Sequence, residues 1–136
     1  MNTDASRQSP ESDNHTVLLI DDEQMVLEVG KAILQRLGHK VVTAESGEEA
    51  LEKFGQHKDA IGCVVLDLTM PGIDGKETFS RLRDLVPGLP IIISSGLSVE
   101  QVSAQFDKSP TTAFIQKPYQ VAELSSTIQN ILNKDT

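Results

Sequence analysis

The chain has 136 residues, of which 38% are hydrophobic and 24% are charged, and its formal net charge is −8. This length fits one compact domain, the composition is too apolar for a disordered chain, and the acidic balance disfavours nucleic-acid binding. The sequence has no apolar run of membrane-spanning length and no signal-peptide pattern, so we expect a cytoplasmic protein without membrane insertion. Its one cysteine, Cys63, cannot form an internal disulfide and fits a reducing compartment.

The chain opens with a polar segment, residues 1–14, that is rich in Ser, Asp and Asn and has no periodic apolar residues. Such a segment cannot bury enough apolar surface to fold, so it is predicted to be a disordered leader or linker. The folded domain is expected over residues 15–133, with residues 134–136 as a short tail.

Five short apolar runs follow this leader. Continuous runs of this kind predict strands that are buried on both faces of a parallel sheet, and the second run is short enough to be an edge strand. In chain order the runs are Thr16–Ile20, Lys40–Thr43, Ile61–Leu66, Pro90–Ser94 and Thr112–Ile115.

Each run is followed by a segment with apolar residues at helical spacing. Gly38 is predicted to end the first helix, and Asp74 to cap the third. Ser46 and Ser98 begin capping-box patterns that predict the starts of the second and fourth helices. The apolar positions are Val26, Val29, Ile33 and Leu37; Ala50, Leu51 and Phe54; Phe79, Leu82 and Val86; Val102 and Phe106; and Val121, Leu124, Ile128 and Ile131.

Five strand–helix repeats predict an α/β fold with a parallel sheet, helices on both faces and right-handed crossovers. In this class the functional site lies at the carboxyl ends of the strands, near the switch point in strand order. Polar residues stand at four of these ends: Asp21-Asp22-Glu23 after the first strand, Asp67 after the third, Ser94-Ser95-Gly96 at the fourth, and Lys117-Pro118 after the fifth.

These residue types favour phosphoryl transfer. Asp21 and Asp22 repel each other at the mouth of an apolar sheet, so we expect a cation between them and Asp67, and oxygen ligands suit Mg²⁺. A solvated acidic loop that caps the next helix is the alternative. Asp67 is a competent nucleophile toward phosphorus, Lys117 can offset the developing charge, and Ser95 can donate a hydrogen bond to phosphoryl oxygens.

The pattern resembles the receiver domain family of response regulators over about Thr16 to Leu132. The residues that carry the resemblance are Asp21-Asp22-Glu23, Asp67 with Met70-Pro71-Gly72-Ile73-Asp74-Gly75, Ser94-Ser95-Gly96 and Lys117-Pro118-Tyr119. The resemblance implies a flavodoxin-like, doubly wound, five-stranded sheet in the order 2-1-3-4-5 with five helices. It also implies phosphorylation of Asp67 by a histidine kinase or a phosphotransfer domain.

The same resemblance implies a metal site and a switch. Mg²⁺ would be bound by Asp22, Asp67 and the backbone carbonyl of Thr69, with Asp21 acting mainly through water. Ser95, preferred to Ser94 because it directly precedes Gly96, would move toward the phosphoryl group, and Phe114 would turn inward behind it. A downstream protein would then bind the face formed by the fourth helix, the fifth strand and the fifth helix.

Three other functions are compatible with parts of this pattern. A phosphatase of the haloacid dehalogenase type needs a second acid two residues after the nucleophile, where this chain has Thr69, so we expect a phosphoacceptor and not a turnover enzyme. A flavodoxin-like electron carrier is disfavoured because Asp21 and Asp22 would repel the flavin phosphate. The third alternative is an adaptor protein that uses the same fold without being phosphorylated. The sequences of these motifs resemble those of receiver domains attached to hybrid sensor kinases.

Overall fold

The computed structural model describes residues 16–68, 75–106 and 108–133. The predicted leader over 1–14, the tail over 134–136, the Thr69 carbonyl ligand and the Asp74 cap lie outside the described residues, and the domain limits 15–133 stay a prediction. Within the described ranges, no helix is long and apolar enough to cross a membrane.

Five parallel strands form one sheet in the order β2-β1-β3-β4-β5, which confirms the predicted fold class and strand order. Four strands, β2 to β5, end one residue later than predicted, so that Asp67 and Ser95 are themselves the last residues of their strands. The strands are β1 (Thr16–Ile20), β2 (Lys40–Ala44), β3 (Ile61–Asp67), β4 (Ile91–Ser95) and β5 (Thr112–Gln116).

The helices are α1 (Gln24–Arg36), α2 (Gly47–His57), α3 (Gly75–Leu85), α4 (Val99–Ser103) and α5 (Val121–Asn133). Gly38 follows α1 with φ of 96°, a left-handed conformation in which glycine avoids the steric cost of a Cβ. Ser98 and Gln101 form the predicted capping box of α4. Ser46 caps α2, but the Glu49 carboxylate accepts from the amide of Glu45, so the predicted box is only half formed.

The sheet separates two apolar layers, because successive side chains of each strand point to opposite faces. Leu18 and Ile20 of β1 face the layer covered by α2, α3 and α4, whereas Val17 and Leu19 face the layer covered by α1 and α5. All four side chains are fully buried. A sheet covered on both faces leaves its carboxyl edge as the place where polar side chains gather.

The predicted apolar face of α1 is wrong at Val29 and incomplete elsewhere. Ile33 is buried, and Val26 and Leu37 are partly buried against the same layer, but Val29 is 52% exposed. The structure also buries Leu27, Gly30 and Leu34, which the pattern did not include. The reason is Gly30, since a Cβ there would lie 2.8 Å from the Cδ2 atom of Leu19, and its absence lets α1 pack closely on β1. A pattern read from large apolar residues alone does not include that position.

Candidate functional site

Two buried carboxylates lie at the carboxyl edge of the sheet. Asp67 is the last residue of β3 and is 1% exposed, and Asp21, directly after β1, is completely buried. Hydrogen bonds to neighbouring strands fix the backbone at both acids. The amide of Asp21 donates to the carbonyl of Ala44 at 3.1 Å, and the amide of Leu68, directly after Asp67, donates to the carbonyl of Ser94 at 3.0 Å. Parallel pairing therefore brings together two acids that are 46 positions apart in the sequence.

Asp22 completes a cluster of three acids. One carboxylate oxygen from each of Asp21, Asp22 and Asp67 lies within 4.8 Å of the other two, and Asp22 is exposed at the rim. An all-oxygen set with one member facing solvent suits Mg²⁺, which binds through one or two carboxylates and keeps several waters. The residues present therefore fit the ion that the sequence predicted.

Lys117, after β5, places its ammonium group among these acids. Its Nζ atom lies 3.1 Å from Oδ2 of Asp21, 3.4 Å from Oδ1 of Asp67 and 3.7 Å from Oε1 of Glu23. Its own amide donates to the carbonyl of Ser95 at 2.7 Å, which ties the loop to the end of β4. One ammonium beside the three clustered acids leaves an excess of negative charge at this edge.

The pKa values of the two partners reflect this crowding. Burial raises the pKa of Asp21, and the charge of Asp67 adds to that rise, while hydrogen bonds from the Glu23 amide and Lys117 oppose it. Burial alone lowers the pKa of Lys117, but the hydrogen bond to Asp21 and the charges of Asp67 and Asp21 outweigh burial and raise it. Lys117 is therefore held in its charged form at neutral pH.

The two predicted switch residues lie on neighbouring strands. Ser95 is buried, and its hydroxyl oxygen accepts a hydrogen bond from the amide of Leu97 at 3.1 Å. Phe114 is half-buried on β5, and its ring centroid lies 5.8 Å from that of Phe106, which in turn packs edge-on against Phe79 of α3 at 5.1 Å. The predicted aromatic thus belongs to a row of three rings.

One buried hydrogen bond at the site was not predicted. The hydroxyl of Tyr119 donates to Oγ of Ser94 at 3.3 Å. The sequence pattern includes Tyr119 only as the last residue of Lys117-Pro118-Tyr119, and it favours Ser95 over Ser94 for the switch. The available signal was a tyrosine directly after Lys117-Pro118, because a tyrosine hydroxyl needs a hydrogen-bond partner when it is buried.

Comparisons with known proteins identify the family to which the chain is similar. The family model described as the response regulator receiver domain matches residues 17–129. The chain is 32% identical over 123 residues to the sensor kinase CckA of Brucella abortus, and this match covers 90% of the chain and 13% of that kinase. It is 29% identical over 120 residues to the chemotaxis protein CheY of Bacillus subtilis, covering 88% of the chain and 98% of that protein.

A solved structure, a CheX–CheY complex of Borrelia burgdorferi with BeF₃ and magnesium, contains a similar chain. The TM-score is 0.77 at 27% identity, and the match covers 90% of this chain and 98% of that one. The chain thus spans nearly all of a single-domain relative. It spans only 13% of the sensor kinase and 50% of a Bacillus subtilis transcriptional regulatory protein, PhoP.

Proposed function

This chain belongs to the response regulator receiver domain family of two-component systems, and from that premise we propose that it accepts a phosphoryl group from a phosphohistidine onto Asp67, with Mg²⁺ bound beside it. The observation that carries the proposal is the position of Asp67. It ends β3 beside two further carboxylates, with the ammonium of Lys117 3.4 Å from its Oδ1 atom.

In the proposed step, a carboxylate oxygen of Asp67 forms a bond to phosphorus while the bond from phosphorus to the donor's imidazole nitrogen breaks, and the imidazole leaves with the electron pair. Positioning and charge stabilisation supply the catalysis. Lys117 can donate to a phosphoryl oxygen while it stays paired with Asp21. A hydroxyl both donates and accepts, so Ser95 can donate to the phosphoryl group and still accept from Leu97.

Bound Mg²⁺ would neutralise negative charge on the entering phosphoryl group. Asp22, Asp67 and the carbonyl of Thr69 would hold the ion directly, and Asp21 would act mainly through water. The clustered carboxylate oxygens support this assignment, and so does the magnesium named with the Borrelia burgdorferi CheY.

The donor protein, a histidine kinase or a phosphotransfer domain, needs a surface next to Asp67. An apolar groove of about 380 Å³ adjoins the site between α1 and the loop after β5. Its lining includes Met25 and Val29, which are 78% and 52% exposed, together with Pro118 and Tyr119. Exposed apolar side chains beside a reacting group favour a protein partner there.

Signalling onward would use the switch residues. A phosphoryl group that attracts Ser95 shifts the loop after β4, and Phe114 on the adjacent strand then turns inward. The face of α4, β5 and α5 changes as a result, and a downstream protein binds it. Leu97, in the loop after β4, and Val99, the first residue of α4, are 46% and 36% exposed and can offer apolar contacts close to Ser95 in the chain.

The test is incubation with acetyl phosphate and Mg²⁺, followed by intact mass measurement. The wild-type chain should gain one phosphoryl group that hydroxylamine removes, and chelation of Mg²⁺ should suppress the gain. Asp67→Asn should gain none, whereas Asp84→Asn, the same change at an exposed position on α3, should behave as wild type. If the wild type gains no phosphoryl mass, the result would favour an adaptor that works without phosphorylation. Sustained release of inorganic phosphate would favour a phosphatase.

A further inference from the structure

The ring of Tyr119 is packed between α1 and the sheet. It is 9% exposed and belongs to the apolar layer that α1 and α5 cover. Gly30 of α1 makes room for it, since a Cβ at Gly30 would lie 3.1 Å from the Cε2 atom of the Tyr119 ring. The ring alone therefore satisfies the packing at this point, and a phenylalanine would fit the same space.

The hydroxyl of Tyr119 adds a chain of hydrogen bonds across the sheet. It donates to Ser94 at 3.3 Å, and the Ser94 hydroxyl donates to the carbonyl of Leu66 at 3.4 Å. Ser94 is completely buried, where a hydroxyl without a partner is costly. The two bonds link the loop after β5 to β4 and β4 to β3.

Each link lies next to a residue of the proposed reaction. Leu66 precedes Asp67, Ser94 precedes Ser95, and Tyr119 stands two residues after Lys117. Because Lys117 is held at its amide by the carbonyl of Ser95, the Tyr119–Ser94 bond is a second tie between the same loop and the same strand.

We propose that Tyr119 is a positioning residue for phosphoryl acceptance. Its hydrogen bond to Ser94 fixes the loop so that the ammonium of Lys117 stays between Asp21 and Asp67. The proposal rests on the proposed function, because the group that Lys117 serves is the phosphoryl group entering at Asp67. Burial raises the pKa of Tyr119 to about 12, so its hydroxyl remains a donor at neutral pH.

Two variants remove the two ends of the bond. Tyr119→Phe deletes one oxygen and keeps the ring, and Ser94→Ala deletes the acceptor. The matched control is Thr112→Val, which deletes a side-chain hydrogen bond of 2.8 Å from Arg83 at the far end of β5. Circular dichroism establishes that all variants are folded under the assay conditions.

The measurement is the rate of phosphorylation over a range of acetyl phosphate concentrations at saturating Mg²⁺. Loss of the neutral Tyr119–Ser94 hydrogen bond should lower the maximal rate constant roughly three- to tenfold in Tyr119→Phe. The loss should be at least as large in Ser94→Ala, which also removes the bond to the Leu66 carbonyl. The half-saturating donor concentration should change little in either variant, because Lys117 acts on charge that develops during transfer. The double variant should be no slower than Ser94→Ala alone, since Ser94→Ala already removes the acceptor that the Tyr119 hydroxyl uses.

A spectroscopic readout is also specific to this bond. The chain has one tyrosine and no tryptophan. The tyrosine band of the near-ultraviolet absorbance spectrum therefore comes from Tyr119 alone, without overlap from an indole ring. Ser94→Ala should shift the tyrosine band to shorter wavelength, as loss of a hydrogen bond from the phenol does, and Thr112→Val should leave it in place.

The positioning role is overturned if the wild type accepts phosphate and Tyr119→Phe matches its maximal rate constant, or if the tyrosine band of Ser94→Ala is unchanged. A rate loss of the same size in Thr112→Val would also overturn it, because the loss would then follow from general destabilisation. A wild type that gains no phosphoryl mass would overturn the proposed function first, and this role with it.

Discussion

Replacing Asp67 with asparagine removes a buried negative charge and keeps the shape of the side chain. We expect this variant to be more stable than the wild type in the absence of Mg²⁺, although it should be unable to accept phosphate. The expectation follows from the crowding of Asp21, Asp22 and Asp67 around the ammonium of Lys117.

The attraction and repulsion that Asp67 feels from the charges of Lys117, Asp21 and Asp22 nearly cancel. At an effective dielectric constant of about 20, its attraction to Lys117 across 3.4 Å is about 5 kcal/mol, and its repulsion from Asp21 within 4.8 Å is about 3.5 kcal/mol. Repulsion from Asp22, which is exposed and screened by water, adds about 1 kcal/mol. The burial of this charge, on a side chain that is 1% exposed, costs several kcal/mol in addition.

Asparagine avoids that cost in part, because it is neutral and its amide can donate to Asp21. We therefore expect Asp67→Asn to raise the free energy of unfolding by about 1–3 kcal/mol in metal-free buffer. Mg²⁺ should stabilise the wild type by about 2.7 kcal/mol at one hundred times its dissociation constant, and should stabilise the variant much less. With Mg²⁺ bound, the difference in unfolding free energy between Asp67→Asn and the wild type should therefore disappear or change sign.

The assay is urea unfolding followed by circular dichroism, with a chelator and with Mg²⁺. Asp84→Asn is the matched control, since it makes the same change at an exposed position and should move stability by less than about 0.5 kcal/mol. A metal-free Asp67→Asn that is less stable than the wild type would refute the reasoning, because the pair with Lys117 would then outweigh repulsion and burial together.

Three further predictions concern the metal, the switch and the thiol. Asp22→Ala should weaken Mg²⁺ binding more than Asp21→Ala does, because Asp22 is proposed as a direct ligand, and titration by NMR with the reverse ranking would refute this assignment. Ser95→Ala should still accept phosphate but show smaller phosphorylation-induced NMR shifts around Phe114, since it loses one charge-assisted hydrogen bond of about 1.5–3 kcal/mol; equal shifts would contradict the coupling. Cys63, completely buried and with its pKa raised to about 12 by burial, should resist a thiol reagent at neutral pH until urea unfolds the chain, and fast labelling of the folded chain would contradict its placement.

The sequence was sufficient for the strands and for the residues at their ends. Continuous apolar runs identify buried strands, and parallel strands bring their carboxyl ends to one edge, so the meeting of Asp21, Asp67 and Lys117 follows from topology alone. The cap at Ser98 was also predictable, because it depends on residues three positions apart.

Features that depend on packing across the sheet were not predictable. The buried side of α1 includes Gly30, whose lack of a side chain matters only because Leu19 and Tyr119 lie against it. The hydrogen bond from Tyr119 to Ser94 joins side chains 25 positions apart, and its geometry is set by how α1 presses the ring onto the sheet. Neither contact leaves a periodic pattern in the sequence.

The most direct test of the central claim is to locate the phosphoryl group on the chain. After phosphorylation with acetyl phosphate and Mg²⁺, borohydride reduces an aspartyl phosphate to homoserine, and peptide mass analysis then identifies the reduced position. We predict homoserine at position 67 and at no other acid. Reduction at Asp21 or Asp22, or none despite a gain of phosphoryl mass, would contradict the assignment of Asp67 as the phosphoacceptor.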